Sequence, residues 1–272
     1  MSSLLTNPSA GRPASVSPSD GEKGEARGLS TVWQLREFAE VDSTNLVAAK
    51  LPAGHAVRAD TQTSGRGRFQ RSWISDAGGL WLSAVVPVET NSPAWRMLPL
   101  ATGVAVCDAL RTTGVKQLRL RWPNDVLVGD GKLAGLLIDQ FTPGLAVVGI
   151  GINVTNHPEV QDGGLRGHVA RLADLVSVVP SLHDLTERVL ASLKSTWLEV
   201  QDSGPEKLLP RVNALWDLPR RVQLDVSDKL VTGEFGGVDA CGRLQLRLDD
   251  GATHFFEPQE VKLLRDLPQT KP

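Results

Sequence analysis

Gly65-Arg66-Gly67-Arg68-Phe69-Gln70-Arg71-Ser72-Trp73 is the stretch on which the reading of this chain turns. Three arginines and two glycines fall within seven residues, Thr63 and Ser64 lead in, and Trp73 closes the run. The composition suits neither a helix nor the interior of a sheet. Glycine lets the backbone approach a ligand closely and leaves main-chain N–H groups available as donors. Each guanidinium adds a planar, permanently charged fork that matches phosphate or carboxylate oxygens. Closing such a loop costs conformational entropy, so it is expected to be mobile when empty. On the loop alone, a phosphate clamp, a solvated basic turn and an RNA-binding Gly/Arg segment all stay open.

Outward from the loop, residues 55–61 read as the strand that feeds it, and 80–86 as a continuous apolar strand ended by Pro87. Residues 31–41 form an earlier strand carrying Val32, Trp33, Leu35, Phe38 and Val41. Asp42 or Ser43 then caps a short helix over 46–51. Leu100, Val104, Cys107 and Leu110 recur at helical spacing and predict a helix over 99–112. Strands are expected at 118–122, 126–128, 133–140 and 145–154, separated by Pro123-Asn124-Asp125, Gly129-Asp130-Gly131 and Pro143-Gly144. That is hairpin chemistry, so the sheet is at least partly antiparallel. Helices follow over 182–200, after Ser181, and over 206–215.

From Pro219 the pattern changes. Val222, Leu224 and Val226 alternate with polar residues, as do Leu244, Leu246 and Leu248, with turns expected at Gly236-Gly237 and Asp249-Asp250-Gly251. Short alternating strands joined by tight turns predict a small β-barrel of about fifty residues. The fold class is α+β, a mixed sheet flanked by helices with a C-terminal barrel. The expected organisation is a disordered Ser/Pro/Gly-rich tail over 1–28, a main domain over 29–217 and the barrel over 218–268.

Composition narrows the function. Of 272 residues, 41% are hydrophobic and 22% charged, ordinary values for a globular protein. The net charge of −2 lacks the basic surplus of a dedicated nucleic-acid binder, which weakens the RNA reading of the loop. Cys107 and Cys241 lie far apart with no metal-ligand spacing, and Cys107 sits in an apolar run that reads as core. No stretch approaches a membrane span, and no signal-peptide core opens the chain, so a cytoplasmic protein without a fixed metal is expected.

Three further constellations carry chemistry. Arg121-Trp122-Pro123-Asn124-Asp125 puts a cation, an aromatic ring, an amide and a carboxylate where proline interrupts a strand, as a ligand contact or as an Asx turn. Lys132 is a lone cation at the mouth of the apolar strand Leu133-Ala134-Gly135-Leu136-Leu137-Ile138. Gly149-Ile150-Gly151-Ile152-Asn153 places two glycines on one strand face, a flat shelf for a ring or a seat for close packing. No nucleophile–base pair stands out. Arginines, one lysine and glycine N–H groups form the inventory of phosphoryl or nucleotidyl transfer by positioning and charge stabilisation.

Taken together and in this order, the stretches resemble the biotin protein ligases. Residues 65–73 match that family's GRGRxxRxW loop, Arg121–Asp125 resembles its KWPND box, Lys132–Leu136 its KLxGI/L strand, Gly149–Asn153 its GxGxN strand and Ser43-Thr44-Asn45 its STN element. The resemblance implies a class II synthetase-like biotin–lipoate ligase fold with an SH3-like C-terminal barrel. It implies a two-step reaction: biotin attacks Mg-ATP to give biotinyl-5′-AMP, and a lysine of a biotin carboxyl carrier domain then displaces AMP.

By that resemblance Lys132, Arg66, Arg68, Arg71 and Asp125 act in catalysis. Ser43, Thr44, Gln62, Gly65, Arg66, Gly67, Lys132, Gly149 and Gly151 hold biotin. Arg68, Arg71, Trp73, Asn124 and Asn153 hold ATP or the adenylate, and Mg2+ is carried mainly by the ATP phosphates. Two departures matter. Arg121 stands where many members have lysine, turning a point charge into a fork. The 1–28 tail is shorter than the winged helix-turn-helix of the family's repressors, so neither DNA nor membrane is an expected partner. A monomer or weak dimer is expected.

Overall fold

A computed structural model describes residues 32–158, 169–216 and 220–268. The expected disordered tail lies outside the described residues, as does most of the expected domain boundary.

Seven strands form one sheet: β1 (Gln34–Val41), β2 (His55–Gln62), β3 (Leu80–Pro87), β4 (Leu118–Arg121), β5 (Asp125–Val128), β6 (Gly131–Asp139) and β7 (Leu145–Ile152). Their order is β1-β2-β3-β7-β6-β5-β4, with β1 and β2 parallel and every other pair antiparallel. The period of two divides the central strands cleanly. Leu80, Leu82, Ala84 and Val86 of β3, with Ala146, Val148, Ile150 and Ile152 of β7, join the main core. Helices α2 (Pro93–Arg111) and α3 (Leu182–Ser203) complete it. Each fully buried Leu or Val side chain there is worth about 1.5–3 kcal/mol.

On the opposite face, Ala48 of the short helix α1 (Thr44–Ala48) packs on Val57, Val85 and Val147. The same face carries Trp81 and Ser83 of β3, Gly149 and Gly151 of β7, and Gly135 and Asp139 of β6. Registers Leu137↔Gly149, Gly135↔Gly151 and Ser83↔Gly149 place them side by side. Small and polar residues there leave a floor with room above it.

Helix boundaries differ from the sequence reading: α1 starts at Thr44 and ends at Ala48 where 46–51 was expected, and α3 runs on to Ser203. α2 begins at Pro93, not near Pro99, because Ser92 Oγ accepts from Trp95 N at 3.1 Å and Pro93 fills the first turn; Pro99 lies inside the helix. The last helix is α4 (Leu209–Ala214), preceded by a 3-10 turn over Pro205–Lys207. Cys107 is core as expected, its thiol pushed up to about 12 by burial.

The C-terminal strands are β8 (Arg220–Val226), β9 (Lys229–Val238), β10 (Leu244–Arg247), β11 (Thr253–Phe256) and β12 (Val261–Asp266). They form an antiparallel sheet in the order β11-β10-β9-β8-β12. The edge strands β11 and β12 are not paired, so the sheet stays open and the expected closed barrel is corrected. The expected turn at Gly236-Gly237 is instead a bulge inside β9, where the register against β10 shifts between Gln245 and Leu246. The chain turns at Ser227-Asp228, whose φ values of 49° and 61° suit a tight two-residue hairpin turn.

This sheet shares the main core. Trp216 stacks on Phe235 with centroids 3.8 Å apart, and Trp122 Nε1 donates to Gly242 O at 2.9 Å. Arg119 of β4 reaches Asp266 of β12 at 3.3 Å. β12 is thereby brought beside the Arg/Gly loop.

Candidate active site

The loop hangs from the end of β2 as an irregular hairpin. Gln62 pairs with Ser75, and Arg66 pairs with Ser72. Trp73 N donates to Gly65 O at 2.9 Å, and a single 3-10 turn over Arg68–Gln70 makes the tip. A Cβ on Gly65 would collide with the Trp73 carbonyl, so this glycine closes the hairpin neck. Phe69 and Gln70 hold positive φ of 55° and 58°, and Phe69 lies beneath the Arg68 guanidinium, 4.8 Å from its ring centroid.

Below the loop lies a cavity of about 770 Å³. Ser43, Thr44, Gln62, Arg66, Gly67, Arg68, Arg71, Trp73, Asn124, Asp125, Lys132, Gly149, Gly151 and Asn153 all line it; Gly65 alone of the expected residues does not. Segments far apart in sequence therefore converge on one space. Seven lining residues are Arg or Lys and three are Asp, so the cavity favours an anion.

At its centre Asp125 accepts from Lys132 Nζ at 2.6 Å and from Arg121 Nη2 at 2.8 Å. Burial alone would raise the Asp125 carboxyl, but Lys132 and Arg121 together outweigh it and hold its pKa below the usual carboxylate range. Arginine at 121 thus keeps a charge-assisted hydrogen bond to Asp125. A group with a depressed folded pKa stabilises the fold above its unfolded value, about 3.9, and that contribution is lost as pH falls through the folded value. The urea midpoint of the wild type is therefore expected to fall more steeply between pH 5 and pH 3 than that of Asp125→Asn; parallel acid limbs would show that Asp125 is not held this way.

Lys132 Nζ also lies 5.0 Å from the Trp73 ring centroid. Its backbone carbonyl accepts from Asn153 Nδ2 at 3.2 Å, and Asn153 Oδ1 accepts from Asn156 Nδ2 at 3.1 Å. Asn124 Nδ2 donates to Leu136 O at 2.7 Å, which ties the Pro123-Asn124 corner to β6. The flat shelf expected across Gly149 and Gly151 is divided. A Cβ on Gly151 would lie 2.7 Å from Trp73 Nε1, and one on Gly135 2.7 Å from the same indole. Gly149 instead makes room for the Asn45 amide. Trp73 thus rests on a floor of Gly135 and Gly151, edge-on to Trp81.

At the other end, Thr44 N donates to Gln62 Oε1 at 2.8 Å, and Gln62 Nε2 donates to Ser75 Oγ at 2.8 Å. Arg66 stands nearby; among the described residues its Nε and Nη2 are buried without a hydrogen-bond partner. Arg68 Nη2 donates to Pro258 O and, at 3.4 Å, to Val261 O, while Arg71 Nη2 donates to Lys262 O at 2.9 Å. Burial brings the Arg68 guanidinium down to about 10; Asp125 opposes the shift and Arg71 adds to it, so the group stays cationic at neutral pH. The carbonyls of the 258–262 segment were not legible in the sequence, because a main-chain acceptor has no side-chain signature. Asn45, known from the sequence only as part of the Ser43-Thr44-Asn45 element, also lines the cavity, and Ser83 and Asp139 stand behind it.

A mixed sheet thus carries a cationic loop folded over a cavity whose charge favours an anionic ligand. Comparison with known proteins agrees. Residues 37–155 match the biotin/lipoate A/B protein ligase family. A biotin–[acetyl-CoA-carboxylase] ligase of Mycobacterium tuberculosis is 31% identical over 236 residues, covering 80% of this chain and 85% of that protein. The bifunctional ligase/repressor BirA of Escherichia coli is 29% identical over 219 residues, 77% of this chain and 68% of that protein. A biotin protein ligase from Aquifex aeolicus, solved in complex with biotin and ATP, superposes with a TM-score of 0.74 at 26% identity, covering 86% of this chain and 99% of that one. The chain belongs to the biotin protein ligase family and is an enzyme of that class.

Proposed function

We propose that this enzyme activates biotin and transfers it to one lysine of a biotin carboxyl carrier domain of acetyl-CoA carboxylase or a related carboxylase. A biotin carboxylate oxygen attacks the α-phosphorus of ATP, which enters with Mg2+, and pyrophosphate leaves. The acceptor lysine, having given up its ammonium proton, attacks the acyl carbon of biotinyl-5′-AMP; the amide bond forms and AMP leaves. The observation that carries the reading is the joining, in one cavity, of a polar ring seat at Thr44 and Gln62 to a cationic end around Lys132.

Lys132, at the cationic end beside Asp125, can bridge the biotin carboxylate and the α-phosphate, two anions that otherwise repel. The ion pair to Asp125 aims it. When Lys132 turns to the ligand, Asp125 keeps Arg121 and becomes free to orient the acceptor ammonium. Arg66, Arg68 and Arg71 neutralise phosphate charge, and the loop excludes water from a hydrolysable mixed anhydride. Ser43, Thr44 and Gln62 satisfy the ureido ring, Gly65 and Gly67 shape the loop around biotin, and Gly149 and Gly151 seat Asn45 and Trp73 in the cavity wall. Trp73, Asn124 and Asn153 wall the adenylate. The net charge of −2 offers no basic surplus for DNA, so the reading carries no repressor role. As part of the same proposal, the enzyme works in the cytoplasm as a monomer or weak dimer.

Incubating a purified carrier domain with biotin, Mg-ATP and this protein is expected to add one biotinyl group, read by mass spectrometry. Pyrophosphate–ATP exchange should depend on biotin and not on lipoate. An unmodified carrier, or exchange driven equally by lipoate, would overturn the reading.

A further inference from the structure

Asp139 stands outside the ring of residues lining the cavity and has no part in the scheme above. It ends β6 on the cavity face of the sheet. Its Oδ2 accepts from Asn45 Nδ2 at 2.8 Å and lies 3.6 Å from Arg66 Nη2. From Asn45 a chain of contacts runs to the cavity: Asn45 Oδ1 to Ser83 Oγ at 2.6 Å, Ser83 Oγ to Thr44 Oγ1 at 2.7 Å, and Thr44 Oγ1 to Gln62 Oε1 at 3.1 Å. Ser83, Thr44 and Asn45 are buried.

The direction of these hydrogen bonds follows from the donor inventory. An ionised carboxylate only accepts, so Asp139 fixes Asn45 with its N–H2 toward the carboxylate and its carbonyl oxygen toward Ser83. Gln62 is fixed too, because its Oε1 accepts from Thr44 N and its Nε2 donates to Ser75. The chain therefore ends in an acceptor on both sides and has two hydroxyl protons for three contacts. Ser83 must donate to Asn45, since otherwise a buried carbonyl has no donor. Thr44 then donates to Ser83 or to Gln62. Either way it has no proton left for the cavity, and no hydroxyl donates to it. Thr44 Oγ1 faces a ligand as an acceptor, while the second Gln62 Nε2 hydrogen remains a donor. That pair complements the N–H and C=O of a cyclic urea.

We propose that Asp139 is a positioning residue that sets the hydrogen-bond polarity of the ring seat, making Thr44 the acceptor for a ligand N–H, and that the same oxygen ties the seat to Arg66. This rests on the reading of Thr44 and Gln62 as the ureido seat. In Asp139→Asn the introduced amide can offer its own N–H, so Asn45 can turn over. The chain then runs from Asn45 through Ser83 and Thr44 to Gln62 with every contact filled. Ser83 donates to Thr44, and a ligand N–H gains less there.

The test is calorimetric titration of the full chain with biotin and with derivatives methylated on one ureido nitrogen or the other. The unsubstituted protein should bind biotin and penalise methylation at the nitrogen facing Thr44 by about tenfold or more. Asp139→Asn should weaken biotin by about tenfold and shrink that penalty to about threefold or less, with Asp139→Glu restoring it. If Asp139→Asn does not fold, Asn45→Ala serves instead: it frees the Ser83 proton for Thr44 and should shrink the penalty likewise. A folded variant with wild-type methylation ratios overturns this inference alone. An unsubstituted protein that does not bind biotin overturns the ureido reading and this inference with it.

Discussion

Lys132→Ala is expected to slow adenylate formation by about 10²–10³-fold, the usual cost of removing one group that stabilises developing charge. The lysine lies at the start of β6 with its ammonium half-buried against Asp125 and the Trp73 ring, so its loss reaches both partners. Asp125 keeps the Arg121 hydrogen bond and is not left as a lone buried charge, which holds the stability loss to about 1–2 kcal/mol. Biotin-dependent pyrophosphate exchange should therefore fall far more than the urea midpoint. Lys132→Arg keeps the charge and separates charge from geometry, because a planar fork cannot sit between two anions as a compact ammonium does. A Lys132→Ala enzyme with full exchange activity would remove Lys132 from the chemistry.

The parts of the site legible in the sequence are those whose side chains betray their use. The loop glycines and arginines, the Arg121–Asp125 corner and Lys132 each break a local rule: charge beside an apolar strand, or proline in one. Their convergence on one cavity is a property of the sheet order, which sets β6 beside β7. What was hidden lies in long-range contacts between ordinary residues. Ser83 read as part of an apolar strand and Asp139 as a polar strand end, yet Asn45 meets them across 38 and 94 residues. Gly149 and Gly151 read as one shelf because strand periodicity gives a face and not its occupant; Asn45 takes one place and Trp73 the other. In the C-terminal sheet, Gly236-Gly237 carried a stronger turn signal than Ser227-Asp228, but two glycines also suit a bulge, and pairing with β10 decided between them.

Arg68→Gly is expected to leave adenylate formation within about tenfold of wild type and to release the product early, raising biotinylation of bystander lysines by about 10–100-fold. The argument rests on where this arginine is anchored. Its guanidinium donates to carbonyls at Pro258 and Val261 on the C-terminal sheet, 190 and 193 residues away, and so fastens the loop tip across the cavity. A hydrogen bond from a charged donor contributes about 1.5–3 kcal/mol, equivalent to a 10–100-fold shift toward an open loop. Burial makes the anchor tighter than that of Arg71, whose bond to Lys262 O is solvent-exposed. Arg71→Ala should therefore leak less than Arg68→Gly, although both arginines face the same cavity. Labelling of an unrelated protein mixed with the carrier, read by streptavidin blot, gives the ranking. If labelling stays confined to the carrier in Arg68→Gly, the loop is not what retains the adenylate. If Arg71→Ala leaks equally, phosphate charge rather than the anchor on the C-terminal sheet governs retention.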